Sequence, residues 1–356
     1  RETYGVSNEK TALAITIANR EKALLQDLDY ENGYSLYVGI PFCPSICLYC
    51  SFGSHPLERW TKRVDEYLDT LCKELTFIRE QMGARKLTTV YIGGGTPTTL
   101  EPEQLRRLLS HIQETFDFTW VKEYTVEAGR PDSITREKLQ VMKEFPVTRI
   151  SVNPQTMNQK TLDVIGRKHT VEDTVNIFHM ARELEFDNIN MDLIIGLPGE
   201  GKEEVAHTLQ EVEKLHPDSL TIHSLALKRA TRLNLFKDKY EEMSFENSKE
   251  IMEMTQQCAG NMGMGPYYLY RQKNIAGNFE NVGYAEVDKA GIYNILIMEE
   301  KQTILAAGAG ASTKFVFEHG TRIERVENVK DVNNYILRID EMLERKRVGI
   351  QKYLNG

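Results

Sequence analysis

The chain has 356 residues, long enough for one large domain with a smaller one beside it. Lys and Arg total 44 against 52 Asp and Glu, and the resulting net charge of −8 argues against a protein that grips nucleic acid through a general basic surface. No apolar run approaches the ~18 residues of a membrane span, so none is expected.

The chain opens on Arg1-Glu2-Thr3 without Met or a signal-peptide pattern. An upstream region and a cytoplasmic setting are the expectation. Cys43, Cys47 and Cys50 crowd together, while Cys72 and Cys258 stand alone. Disulfide frameworks are more widely spaced, so the pattern points to a reducing compartment and a metal or cluster. Cys72 and Cys258 fall in amphipathic helical runs and read as small buried apolar residues.

In chain order, residues 1–34 read as a polar helical lead-in. Strands are expected over 35–40, 88–92, 124–128, 149–153, 188–195 and 219–225. Helices are expected between them, over 65–82, 102–116, 135–145, 159–165, 171–185 and 202–215. Six β/α units in succession mean a parallel sheet with helices outside, and the strands are mostly apolar, as strands covered on both faces are. Six fall short of the eight of a closed barrel, so the expected fold is α/β, a partial (β/α)6 TIM-like barrel. The alternation fails after about residue 227. A helix over 245–262, strands over 294–298, 303–306, 313–318 and 322–326, and a charged helix over 329–346 are read as a smaller C-terminal α+β domain. The expected divisions are 1–34, 35–230 and 231–356.

The first strand runs into Cys43-Pro-Ser-Ile-Cys47-Leu-Tyr-Cys50. Three thiolates on one tight loop can hold three irons of a 4Fe–4S cubane and leave the fourth iron open. Zinc competes as a reading, but structural zinc takes four ligands, and no second Cys/His pair stands out. His55 is nearby and reads as a loop or pocket residue.

Gly93-Gly94-Gly95-Thr96-Pro97 follows the second strand. Either a tight turn or close approach of backbone to a ligand would use these glycines, and three in a row favour the ligand. Glu127 ends the third strand, Gln155 follows the fourth, Arg167 lies in IGRKH, and Asp192 interrupts the apolar strand NMDLII. A carboxylate inside such a strand is costly unless paired.

The run YVGIPFCPSICLYC resembles the first-strand motif of the radical S-adenosylmethionine (SAM) superfamily, and within it the oxygen-independent coproporphyrinogen III oxidase family. GNFENVGYA and YNILIMEEKQTILAAGAGAS resemble its HemZ branch. The resemblance implies a radical SAM barrel, a 4Fe–4S cluster on Cys43, Cys47 and Cys50, and SAM bound through the cluster's open iron. It implies SAM contacts from Tyr37, Gly94, Gly95, Thr96, Glu127, Gln155, Arg167, Asp192 and Ala226. Tyr49 and Phe52 would shield the cluster or pack on SAM. The implied activity is that of a coproporphyrinogen dehydrogenase of haem biosynthesis, which turns two propionates into vinyls with loss of CO₂. A reductant protein such as flavodoxin or ferredoxin would serve it, and neither nucleic acid nor a membrane is expected as a partner.

The chain departs from the family at two points. The oxidases carry a further cysteine where this sequence has Phe52. The family's haem chaperones carry an HNxxYW motif where this sequence reads Gly277-Asn278-Phe279-Glu280. A haem-binding chaperone and another radical SAM activity on tetrapyrroles therefore stand as alternatives. Lys228, Arg229, Arg232, Arg271 and Lys273 are candidate partners for substrate carboxylates, with a solvated basic turn as the plainer reading. Tyr267, Tyr268 and Tyr270 would cover a tetrapyrrole face or pack the core.

Overall fold

A computed structural model describes residues 6–50, 55–226, 231–235, 245–272, 275, 277 and 279–355. Phe52, Lys228, Arg229, Lys273 and Asn278 lie outside these described residues.

The six expected strands form β1 (Tyr34–Ile40), β2 (Leu87–Gly94), β3 (Glu123–Gly129), β4 (Arg149–Val152), β5 (Ile189–Ile195) and β6 (Ser219–Ser224). They pair in parallel and in sequence order. Helices return the chain between them. Helix α1 (Asn8–Leu25) precedes the strands in the lead-in, and those between them are α2 (Val64–Met82), α3 (Pro102–Thr115), α4 (Arg136–Lys143), α5 (Gln159–Val164), α6 (Val171–Glu183) and α7 (Lys202–Leu215). The reason α2 forms and docks is plain in its spacing. Val64, Tyr67, Leu68, Leu71, Leu75, Ile78 and Met82 recur every three or four residues and are all buried.

The C-terminal third adds to both edges of this same sheet. Helix α8 (Lys249–Asn261) is capped by Ser248, whose hydroxyl accepts the amide of Ile251. After it come β7 (Gly265–Tyr270) and β8 (Asn281–Ala285). These two strands, in a segment between residues 262 and 294 where no element is expected from sequence, pair antiparallel beyond β6. Helix α9 (Ile292–Met298) leads to β9 (Thr303–Ala307), β10 (Ser312–Phe317) and β11 (Arg322–Glu327). β9 lies parallel to β1 on the side away from β2, with Tyr34 opposite Thr303. The sheet order is β11-β10-β9-β1-β2-β3-β4-β5-β6-β8-β7, an open sheet of eleven strands.

One expected strand is wrong. Residues 294–298 lie in helix α9. A short apolar run does not distinguish strand from buried helix, and here Tyr293, Ile295 and Leu296 are the buried face. The expected helix over 329–346 is two helices, α10 (Val332–Leu337) and α11 (Ile339–Asn355), broken at Arg338.

Glu74 of α2 and Lys346 of α11 form a completely buried ion pair at 2.8 Å. The carboxylate also accepts from the Tyr335 hydroxyl at 2.6 Å, the Gly308 amide at 2.9 Å and the Asn328 side chain at 2.8 Å. Lys346 further donates to the Ala306 carbonyl at 2.5 Å. The network binds α2 to the C-terminal helices and to β9.

Candidate active site

The loops after the parallel strands converge on one cavity of about 320 Å³. That lies within the range of small-molecule cofactor sites, roughly 300–1,000 Å³. Cys43, Cys47 and Cys50 form one wall. Tyr49, Gly94, Gly95, Thr96, Glu127, Gln155, Arg167, Asp192 and Ala226 also line it. Tyr37 does not. It stacks beneath, on Tyr91 (6.3 Å, 16°) and Tyr293 (6.4 Å, 21°), and a Cβ on Gly94 would stand 3.1 Å from its hydroxyl.

The cysteine loop is fixed through its middle. Leu48 is buried in an apolar cluster with Leu162, Ile165, Ile194, Leu197, Leu225 and Leu233. Its amide donates to the Ile165 carbonyl at 2.9 Å, and its carbonyl accepts from the Leu233 amide at 3.0 Å. The glycine run is fitted against the same loop. The Gly95 amide donates to Ile40 at 2.6 Å and the Thr96 amide to Phe42 at 2.8 Å. A Cβ on Gly95 would fall 2.5 Å from the Phe42 carbonyl oxygen, and one on Gly93 2.8 Å from Glu127 Oε2. Packing therefore requires two of the three glycines, and Gly94, with φ +107° and an exposed position, is the one open to a ligand.

Charge is arranged around the cavity. Arg167 is buried, donates to the Asn153 carbonyl at 2.6 Å and the Tyr49 hydroxyl at 3.2 Å, and leaves its Nε without a partner. Burial pushes the Glu127 carboxyl up to about 7, against the Tyr91 hydroxyl, which donates to it. Burial would raise Asp192 too. His223, whose Nε2 is 3.8 Å from Asp192 Oδ2, outweighs that together with Asn190 and Thr221, and holds the carboxyl below its usual range. Burial raises the Cys43 thiol to about 11, although Thr96 Oγ1 donates to its sulfur at 3.6 Å. Neutral as a free thiol, Cys43 needs a strongly electropositive partner such as iron to become a thiolate.

Gln155 has φ +68°, in the left-handed region that costs a side-chain-bearing residue about 1–2 kcal/mol. It is pinned there by hydrogen bonds from its amide to Asp192 and from the Ile194 amide to its carbonyl, both 3.0 Å. Backbone strain of this kind clusters at functional sites.

The remaining candidates distribute as follows. His55 turns away and packs edge-on against Trp60 (5.2 Å, 77°). Arg232 donates at 3.5 Å to the Ile46 carbonyl of the cysteine loop, and Arg271 is exposed outside the cavity lining. Tyr267 and Tyr268 are buried, whereas Tyr270 reaches the cavity and bonds His223 Nδ1 at 3.0 Å. Cys72 is half-buried on α2, and Cys258 is buried and donates to the Leu209 carbonyl at 3.6 Å.

Sequence reading missed Arg130, Asn153, His223, Gln272 and Asn281, all of which line the cavity. Arg130 had a signal, since it directly follows β3, the strand that carries Glu127. Gln272 and Asn281 had none, because only the pairing of β8 with β6 brings them there.

The radical SAM superfamily profile matches residues 37–212. The oxygen-independent coproporphyrinogen-III oxidase-like protein HemZ of Bacillus subtilis is 43% identical over 97% of this chain and 70% of its own length. The heme chaperone HemW of the same organism is 37% identical over 55% of this chain and 52% of its own. The solved coproporphyrinogen III oxidase HemN of Escherichia coli, a radical SAM enzyme, superposes with a TM-score of 0.70 at 25% identity, covering 90% of this chain and 73% of that one. This chain belongs to the oxygen-independent coproporphyrinogen III oxidase-like family of radical SAM proteins. Its cofactors are a 4Fe–4S cluster and SAM. Among the described residues, no helix is long and apolar enough to cross a membrane.

Proposed function

We propose that the protein is a coproporphyrinogen III dehydrogenase acting in the cytoplasm, with core residues 35–230 carrying the cofactors and residues 231–356 an accessory region. The observation that carries this reading is the single cavity in which three thiols face Glu127, Arg167 and Asp192. Held by Cys43, Cys47 and Cys50, the cluster would supply the electron for reductive cleavage of SAM, chemistry that would convert a propionate to a vinyl with loss of a β-hydrogen and CO₂, the electron released on decarboxylation passing back to the oxidised cluster or to an external acceptor. A flavodoxin- or ferredoxin-like protein would deliver the electron.

The side chains have separate tasks in this reading. Cys43, Cys47 and Cys50 bind three irons. The open backbone at Gly94, with Gly95 and Thr96, takes the methionine end of SAM. Arg167, with its unpartnered Nε, suits the SAM carboxylate, and Glu127 suits a cationic group. Asp192, Gln155 and the Ala226 backbone are acceptors and donors for the adenosine, while Tyr49 excludes water from the cluster. Tyr37 acts from beneath Gly94.

Anaerobic reconstitution with SAM, a low-potential reductant and coproporphyrinogen III tests the reading by mass spectrometry of the tetrapyrrole. The expected product has lost two carboxyl groups, with two SAM cleaved per tetrapyrrole. SAM cleavage with no decarboxylated product overturns it. The similarity to the heme chaperone and Phe52, where the oxidases have a cysteine, favour haem carriage as the second reading. Tight haem binding without turnover would establish that one instead. Deoxyadenosine formed only when haem is present would mark another radical SAM activity on tetrapyrroles.

A pH dependence follows from Glu127. Its carboxyl keeps its proton up to about 7 in the fold and loses it near 4.5 when unfolded, so its contribution to stability falls as pH rises through that window. A bound cation reverses the preference and displaces the proton. SAM affinity is expected to be about tenfold weaker at pH 6 than at pH 8, and Glu127→Gln should flatten that profile. Calorimetric titration at the two pH values checks both, and an equally steep profile in the variant would exclude Glu127 as the cause.

A further inference from the structure

Arg130 leaves β3 directly into the wall of the cavity and is only 4% exposed. Two sides of its guanidinium are committed to Asp132, with Nε on Oδ1 at 2.9 Å and Nη2 on Oδ2 at 2.7 Å. This fork fixes the plane and direction of the group. The third side faces the cysteine loop, where Nη1 donates to the Ser45 carbonyl at 2.9 Å and to Cys47 Sγ at 3.4 Å. Behind the pair stands the buried ring of His169, 4.0 Å from Asp132 Oδ1, with neither nitrogen hydrogen-bonded. It closes the space into which Asp132 would otherwise relax.

A donor held on a ligating sulfur draws electron density from it and favours the more negative, reduced cluster. In a buried site the effect is not diluted by water. The ion pair with Asp132 keeps the unit close to neutral, so the donor acts without adding a net charge beside the cluster. We propose that Arg130 raises the reduction potential of the 4Fe–4S cluster by donating Nη1–H to the sulfur of Cys47, and that Asp132 holds it in that position. The proposal rests on Cys47 being a cluster ligand.

The test uses the reconstituted protein. Arg130→Gln should keep its iron, with a lowered melting temperature because Asp132 loses its partner, and its cluster's midpoint potential, read by redox titration with electron paramagnetic resonance, should move to more negative values. In wild-type protein labelled with ¹⁵N-arginine, pulsed resonance of the reduced cluster should show a ¹⁵N coupling that Arg130→Gln removes. An unmoved or more positive potential overturns the proposal. So does the absence of ¹⁵N coupling in the wild type, which settles the matter even if the variant fails to hold a cluster. A separate Cys47→Ala sample distinguishes the two failures. If that sample keeps its full iron, the ligand assignment itself is wrong. If it loses iron while Arg130→Gln keeps an unshifted potential, only the role of Arg130 is wrong.

Discussion

Single replacement of Cys43, Cys47 or Cys50 by alanine is expected to abolish the brown cluster absorbance, iron retention and SAM cleavage together. Each thiol lines the same cavity wall, and each would bind a different iron of the cubane, so no one of them substitutes for another. Glu127 and Asp192 share the cavity but are already engaged, the first by Tyr91 and the second by His223 and Asn190. The thiols are flanked by Thr96, Tyr49, Arg130 and Arg167, none of them an iron ligand in this setting. His55 is turned onto Trp60. Cys72→Ala and Cys258→Ala serve as controls and should retain full iron, since neither side chain lines the cavity. Iron analysis and visible absorbance after anaerobic reconstitution decide the matter. Survival of cluster and SAM cleavage in any one of the three variants would refute the ligand assignment.

Lys346→Met is expected to destabilise the fold by about 3–5 kcal/mol, because it strands the charge of Glu74 in a fully buried site. The three neutral donors around Glu74 remain, from Tyr335, Gly308 and Asn328, but none neutralises it. Glu74→Gln combined with Lys346→Met removes both charges and should recover much of the loss. Denaturant unfolding of the single and double variants measures the difference. A double variant no more stable than Lys346→Met would show that the lost stability is packing rather than charge.

The parallel core was legible because its strands are covered on both faces, so each reads as a mostly apolar run, and Gly94, Glu127 and Asp192 mark three of them on the cavity side. Glu127 and Asp192 were conspicuous as carboxylates set among the apolar residues of their strands. Helix α9 was misread because Ile-Leu-Ile carries no period of its own. The glycines at 93–95 were read as a ligand cradle, and the structure divides that role. Gly93 and Gly95 are dictated by neighbouring side chains and backbone, which a linear reading does not show. The C-terminal wall of the cavity was invisible for a related reason. Gln272 and Asn281 acquire their place from strand pairing across the sheet, not from any local pattern, whereas Tyr270, read from sequence as covering a tetrapyrrole face or packing the core, does reach the cavity.

The pairing of β1 with β9 joins Tyr34 to Thr303, about three quarters of the chain's 356 residues apart. Closing so long a loop is entropically expensive and slow. While the chain is being synthesised, β1 can pair with β2 on one side only, and its other edge stays open until residues beyond 303 emerge. An open apolar edge is a template for wrong pairing. The cysteine loop leaves the end of this same strand. Its cavity is thus completed by segments translated long after the cysteines themselves, Tyr270, Gln272 and Asn281 among them.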